Sequence, residues 1–259
     1  MIRFSANLGF LFTDRPLPEA ILAAKAAGFS AVECHWPYDF DPVEIKAALD
    51  ATGLPMVGIN TLRGDLTRGE NGLAALSGRE EEARSVIRRA VEYAAAIGAA
   101  NVHVMAGRKG HGAETATFVA NLRFAAELAG AHGIGILIEP LNPHDAPDYF
   151  LNSIETARAV IETVGAPNLK IMFDCYHQQR LGGELIGTFL RHKDLIGHVQ
   201  FASAPDRAEP DHGEVDYAWL LPELQRLGYT GVFGAEYKPA TGSMDWMESV
   251  SHREGGFTG

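Results

Sequence analysis

Eight short apolar, strand-like runs punctuate the chain: Ile2–Asn7, Ala31–His35, Met56–Thr61, Asn101–Ala106, Gly135–Leu141, Leu169–His177, Gly197–Ala202 and Val232–Tyr237. Between them, apolar residues recur every three or four positions, as along Glu80–Ala94, where Ala83, Ile87, Ala90 and Val91 share one face. Strand and helix therefore alternate throughout. Gly28, Gly53, Gly98, Gly133, Gly165 and Gly228 each stand just before the next apolar run, where a helix ends most easily on a residue that accepts a left-handed backbone. Helix starts are marked by Pro18 with Glu19, Pro42 with Glu44, and Ser153 with Glu155 and Thr156.

Eight such units in 259 residues predict a single α/β domain over residues 1–259, a (β/α)₈ barrel. An open doubly wound sheet is the alternative. It would require a glycine-rich phosphate loop after a strand, and no G-x-G-x-x-G occurs. Arg63–Gly78, rich in glycine and charge, is long enough for a lid over a site. The end of the chain from Met244 to Gly259, with Trp246 and Met247, either closes the barrel or meets a second copy in a homo-oligomer.

The formal net charge of -11 makes nucleic acid an unfavourable partner, because phosphate binding draws on clustered Lys and Arg. Cys34 and Cys175 are too far apart for a zinc knuckle or a redox pair, and read as reduced thiols of a cytoplasmic protein. No leader-like start and no apolar stretch of membrane-spanning length is visible, so neither export nor a membrane partner is expected.

Candidate chemistry emerges where polar residues end apolar strands. Barrel strands are buried on both faces, and their C-terminal ends form the catalytic face of this fold. Ile136–Glu139, Leu169–Asp174 and Val232–Glu236 each end in a carboxylate, and Gly197–Gln200 ends in an amide. Four oxygen donors from strands five to eight then meet at one level of the barrel. Three like charges in a dry cavity require a neutralising cation, and oxygen donors without thiolate favour Mg²⁺ or Mn²⁺. The alternative is that each carboxylate pairs with a nearby Lys or Arg. His177, three residues beyond Asp174, is expected at the mouth beside metal or substrate, with His35 and Trp36 walling the cavity and Asn7 and Asn60 donating to substrate oxygens. His103 and His198 lie inside strands and read as core imidazoles; His132, His192 and His252 read as solvated, and His111 as a loop residue.

The order and spacing of Arg3–Leu8, Pro37–Asp41, Gly78–Glu82, Ile138–Asn142, Asn168–Lys170 with Phe173–His177, Glu209–Pro210 with Gly213–Val215, and Glu236–Pro239 resemble the hydroxypyruvate isomerase family of xylose-isomerase-like barrels. The resemblance spans nearly the whole chain. It implies interconversion of hydroxypyruvate and tartronate semialdehyde, with a metal on Glu139, Asp174, Gln200 and Glu236 and proton transfer by the two glutamates. Ala208 and His212 depart from the residues found at these places in several members.

Such a reaction removes a weakly acidic C–H proton, so charge developing on the enediolate must be stabilised. Glu139 and Glu236 are the expected proton carriers, and Arg207 or Lys238 the expected cation for the carboxylate of a small 2-oxo acid. Related chemistries are isomerisation of four-carbon 2-oxo acids, 3-epimerisation of ketoses and dehydration of cyclic keto-polyols. A DNA endonuclease on the same barrel would call for more histidine ligands and a basic groove, and a non-catalytic sugar-binding barrel has no need of converging carboxylates.

Overall fold

The computed structural model describes residues 2–251. Eight parallel strands, β1 (Phe4–Asn7), β2 (Ala31–Cys34), β3 (Met56–Asn60), β4 (Asn101–His103), β5 (Gly135–Ile138), β6 (Leu169–Asp174), β7 (Ile196–Phe201) and β8 (Phe233–Ala235), close into a barrel in sequence order. The ring shuts where Phe4, Ser5 and Ala6 pair with Phe233, Gly234 and Ala235. Around it run α1 (Leu17–Ala26), α2 (Pro42–Thr52), α3 (Glu80–Ile97), α4 (Thr115–Gly130), α5 (Ile154–Val164), α6 (Cys175–Leu181), α7 (Leu185–His192), α8 (Tyr217–Arg226) and α9 (Trp246–Ser251). No helix among the described residues is long and apolar enough to cross a membrane.

The local signals act as expected. All six repeat glycines have positive φ, and Gly53, Gly98 and Gly165 are themselves left-handed C-caps. Asp41 and Ser153 cap α2 and α5 by accepting the Val43 and Thr156 N–H groups. The core is the barrel interior plus the inward stripes of the helices. Trp246 anchors α9 in an aromatic cluster with Phe4, Phe29 and Phe201, its indole N–H donating to the Tyr237 hydroxyl at 3.0 Å. The segment around Trp246 thus seals the seam between β1 and β8; His252 and the rest of the tail lie outside the described residues.

Three expectations are corrected. The sixth apolar run does not stay extended to His177: the Asp174 carboxylate accepts the Tyr176 N–H at 2.8 Å and starts α6 at Cys175. His192 is buried rather than solvated, because it extends the Leu185, Thr188 and Phe189 stripe that α7 turns inward. Arg63–Gly78 is no free lid. Leu73, Ala74, Ala75 and Leu76 are buried, Gly72 and Leu76 bridge to Ala106 and Ala113, and buried Glu70 pairs with Arg79 at 2.5 Å.

Candidate active site

Glu139 follows β5 directly, Asp174 ends β6, Gln200 lies in β7 opposite Asp174, and Glu236 follows β8. All four are buried. Glu139 Oε1, Asp174 Oδ2 and Gln200 Oε1 have no hydrogen-bond partner, which is costly unless something else meets them. Glu236 is instead well partnered, with acceptor capacity left on Oε2: Asn7 and His35 donate to Oε1 at 3.0 and 2.7 Å, and Arg207 donates to Oε2 at 2.7 Å.

These surroundings separate the carboxyl groups. Burial, then the charges of Glu236 and Asp174, push Glu139 well above the usual carboxylate range. Burial pushes Asp174 up to about 7, although Arg207 pulls against it. For Glu236 burial is outweighed by Arg207 and His35, and the group is held well below its ordinary value. Pairing with a cation therefore accounts for Glu236 but not for Glu139. The unpartnered oxygens on three neighbouring strands suit a hard, oxygen-seeking divalent ion.

Glu139, Asp174 and His177 are the described His, Cys, Asp and Glu side chains whose ligating atoms cluster, all within 4.8 Å of one another. Hydrogen bonding argues against His177 as a ligand. Its Nδ1 accepts the Asn142 backbone N–H at 3.0 Å, which leaves the proton on Nε2, the nitrogen 3.7 Å from Asp174 and 3.8 Å from Glu139. A protonated ring nitrogen has no lone pair for a metal, but it is free to donate a hydrogen bond.

Arg207 lies in the loop after β7 with φ of 58°, a strained backbone for a residue with a Cβ. Its guanidinium stacks between Phe10 and Tyr176, 5.1 and 5.0 Å from the ring centroids, and also stands 3.5 Å from Asp145 and 3.7 Å from Asp174. Lys238 is different: its side chain is exposed, and its backbone N–H ties the end of β8 to the Arg207 carbonyl. Asn60 and Asn7 line a small axial cavity with His35 and Gln200, and Trp36 stacks on His35. Buried Ala208 donates its N–H to Ser203 Oγ, and His212 lies between Asp206 and Asp211.

Two buried layers escape a reading of the sequence. His103 lines the same cavity with neither ring nitrogen bonded, its Nδ1 3.8 Å from Glu139, and burial drops it to about 3. His198 pairs with Glu33 at 2.7 Å. Gly234 is required beside that pair, since a Cβ there would come within 2.4 Å of Glu33 Oε1 and 2.8 Å of His198 Nε2. The apolar alternation of β2 carried a signal, because Glu33 is an acid in a strand buried on both faces. Both cysteines are buried and free, and burial raises both thiols, Cys34 to about 12, which leaves them unreactive.

Residues 21–252 match the xylose isomerase-like TIM barrel family. The chain is 44% identical over 255 residues to the 2-oxo-tetronate isomerase of Cupriavidus necator, covering 96% of this chain and 98% of that protein. It is 39% identical over 255 residues to the hydroxypyruvate isomerase of Escherichia coli K12, with 96% and 99% covered. A crystal structure from Brucella melitensis named as an AP endonuclease of family 2 superposes with a TM-score of 0.89 at 39% identity, over 93% of this chain and 94% of that one. The chain belongs to the xylose isomerase-like TIM barrel family and is an isomerase.

Proposed function

We propose that the protein interconverts hydroxypyruvate and tartronate semialdehyde with the help of Mg²⁺ or Mn²⁺ held by Glu139, Asp174, Gln200 and Glu236. The observation that carries this reading is the trio of buried, unpartnered oxygens on Glu139, Asp174 and Gln200 beside the ionised carboxylate of Glu236. When bound, the ion supplies electrostatic stabilisation for charge developing on the substrate's oxygens as the C–H proton leaves.

The side chains divide the remaining work. One glutamate removes a proton from the hydroxymethyl carbon, the other returns one to the former carbonyl carbon, and the hydroxymethyl O–H proton passes to the former carbonyl oxygen; in the reverse direction the glutamates exchange tasks. Arg207 and His35 hold Glu236 ionised and fix its orientation. The Nε2–H of His177 donates to a substrate oxygen, and Asn7 and Asn60, which border the small axial cavity, orient the substrate above it. Phe10, Trp36 and Tyr176 border this polar floor with aromatic rings that limit the access of water.

The Cupriavidus relative makes the four-carbon 2-oxo-tetronate the second substrate to consider. The endonuclease name of the Brucella structure has less support here, because the chain carries a net charge of -11 and the described residues offer a single carboxylate-histidine cluster. Incubation of the metal-loaded protein with each acid in D₂O, followed by NMR, tests the reading: product and deuterium incorporation are expected. Glu139→Gln and Glu236→Gln should each lower turnover by about 10²–10⁴-fold with an unchanged circular dichroism spectrum. Full activity in either variant sinks the assignment of that glutamate.

A further inference from the structure

Arg63 follows β3 on the catalytic face and is a cation without an acid. Its guanidinium carbon stands 4.0 Å from the centroid of the Trp36 ring, and among the described residues no carboxylate or carbonyl bonds its side chain. Burial alone acts on it, lowering its affinity for the proton, whereas carboxylates hold Arg79 and Arg207 firmly charged. Leaving a half-buried guanidinium unpaired is unusual in a chain with 33 acidic and 22 basic residues.

The stack beneath Arg63 is rigid and leads to the candidate site. The Trp36 indole N–H donates to the Thr61 carbonyl at 3.1 Å, which fixes the ring; the ring lies 5.0 Å from that of His35, and His35 donates to Glu236 at 2.7 Å. A guanidinium held face-on to an indole keeps its N–H edges available for a planar fork with an oxyanion. Arg207 has less of that freedom, because Glu236, Asp145 and Asp174 already surround its terminal nitrogens, although its buried Nε has no partner.

We propose that Arg63, braced by Trp36, receives the carboxylate of the substrate and thereby selects small hydroxy acids over neutral sugars. The inference rests on the acid-substrate reading above and assigns the acid group to the β2–β3 side of the mouth. Arg207 is left to hold Glu236.

Calorimetry with D-glycerate, which keeps the carboxylate and hydroxyls but has no carbonyl to react, tests this apart from turnover. The metal-loaded wild type should bind it; Arg63→Met, which keeps an apolar contact with Trp36, should bind about 10- to 100-fold more weakly, the range of a lost charge-assisted hydrogen bond. Arg63→Lys should fall between them, and KM for hydroxypyruvate should rise in Arg63→Met with the loss carried by KM rather than kcat. Equal glycerate affinity in wild type and Arg63→Met, or no binding by the wild type, overturns the assignment whatever the turnover. Arg63-dependent glycerate binding by a protein that isomerises neither acid retains the anion site and removes the proposed reaction.

Discussion

His103 illustrates how a single side chain reports on function. A buried polar group without a partner costs about 1–3 kcal/mol, and such losses concentrate where chemistry needs them. Here the imidazole faces the axial cavity beside Glu139. His103→Leu is expected to match or exceed the wild type in thermal stability while losing at least about tenfold in kcat/KM, the general trade between stability and activity. A less stable variant with full activity would make His103 a packing residue. Burial lowers its pKa from 6.5 to about 3, so in acid the unfolded chain takes up a proton that the folded chain refuses. The His103 contribution is intact above 6.5 and is lost as the pH falls from there toward 3. Urea denaturation across that window should give a shallower decline for His103→Leu. The sequence hides this distinction: His103 and His198 look alike inside apolar runs, but His198 meets Glu33 from 165 residues away and His103 meets no donor or acceptor.

At the scale of elements, the alternation of periods and the glycine stops were legible because each depends on neighbours in sequence. Asp174 was legible as a buried strand-end carboxylate, but its capping role was not: one oxygen caps α6 while the other stays unpartnered, and the run after it turns helical. The arrangement of Arg63–Gly78 depends on bridges to the loop after β4, which no local pattern encodes. Glu209 is a comparable long-range tie. It accepts the N–H groups of Ala240, Thr241 and Gly242 and the Thr241 hydroxyl, joining the loop that carries Arg207 to the one that follows Glu236. Burial alone would raise its pKa, but these donors outweigh burial and hold it at about 2, below the ordinary 4.5. Its contribution is therefore full above 4.5 and is lost as the pH falls toward 2. Glu209→Gln should cost about 1–3 kcal/mol near neutrality and flatten the acid limb of the stability profile, as read by chemical denaturation. A variant with the wild-type profile would show that the tie contributes nothing.

For the whole molecule, a barrel closed around several buried acids is a folded state that a cation should favour over the unfolded chain. Binding to the native state alone adds about 2.7 kcal/mol at a ligand concentration a hundred times Kd. Thermal melts with and without Mg²⁺ or Mn²⁺ should show a rise in Tm that Asp174→Asn largely removes. An identical melt under both conditions would count against the metal reading.

The seam of the barrel has a further bearing on how this protein is made. Glu236 leaves the ribosome 229 residues after one of its partners, Asn7. A nascent chain that has delivered Glu139, Asp174 and Gln200 still holds an unfinished cup, with its last wall missing and Asn7 and His35 facing no acid. Ring closure and completion of the site are therefore one event. A chain that stops short of β8 lacks both the strand that closes the ring and Glu236.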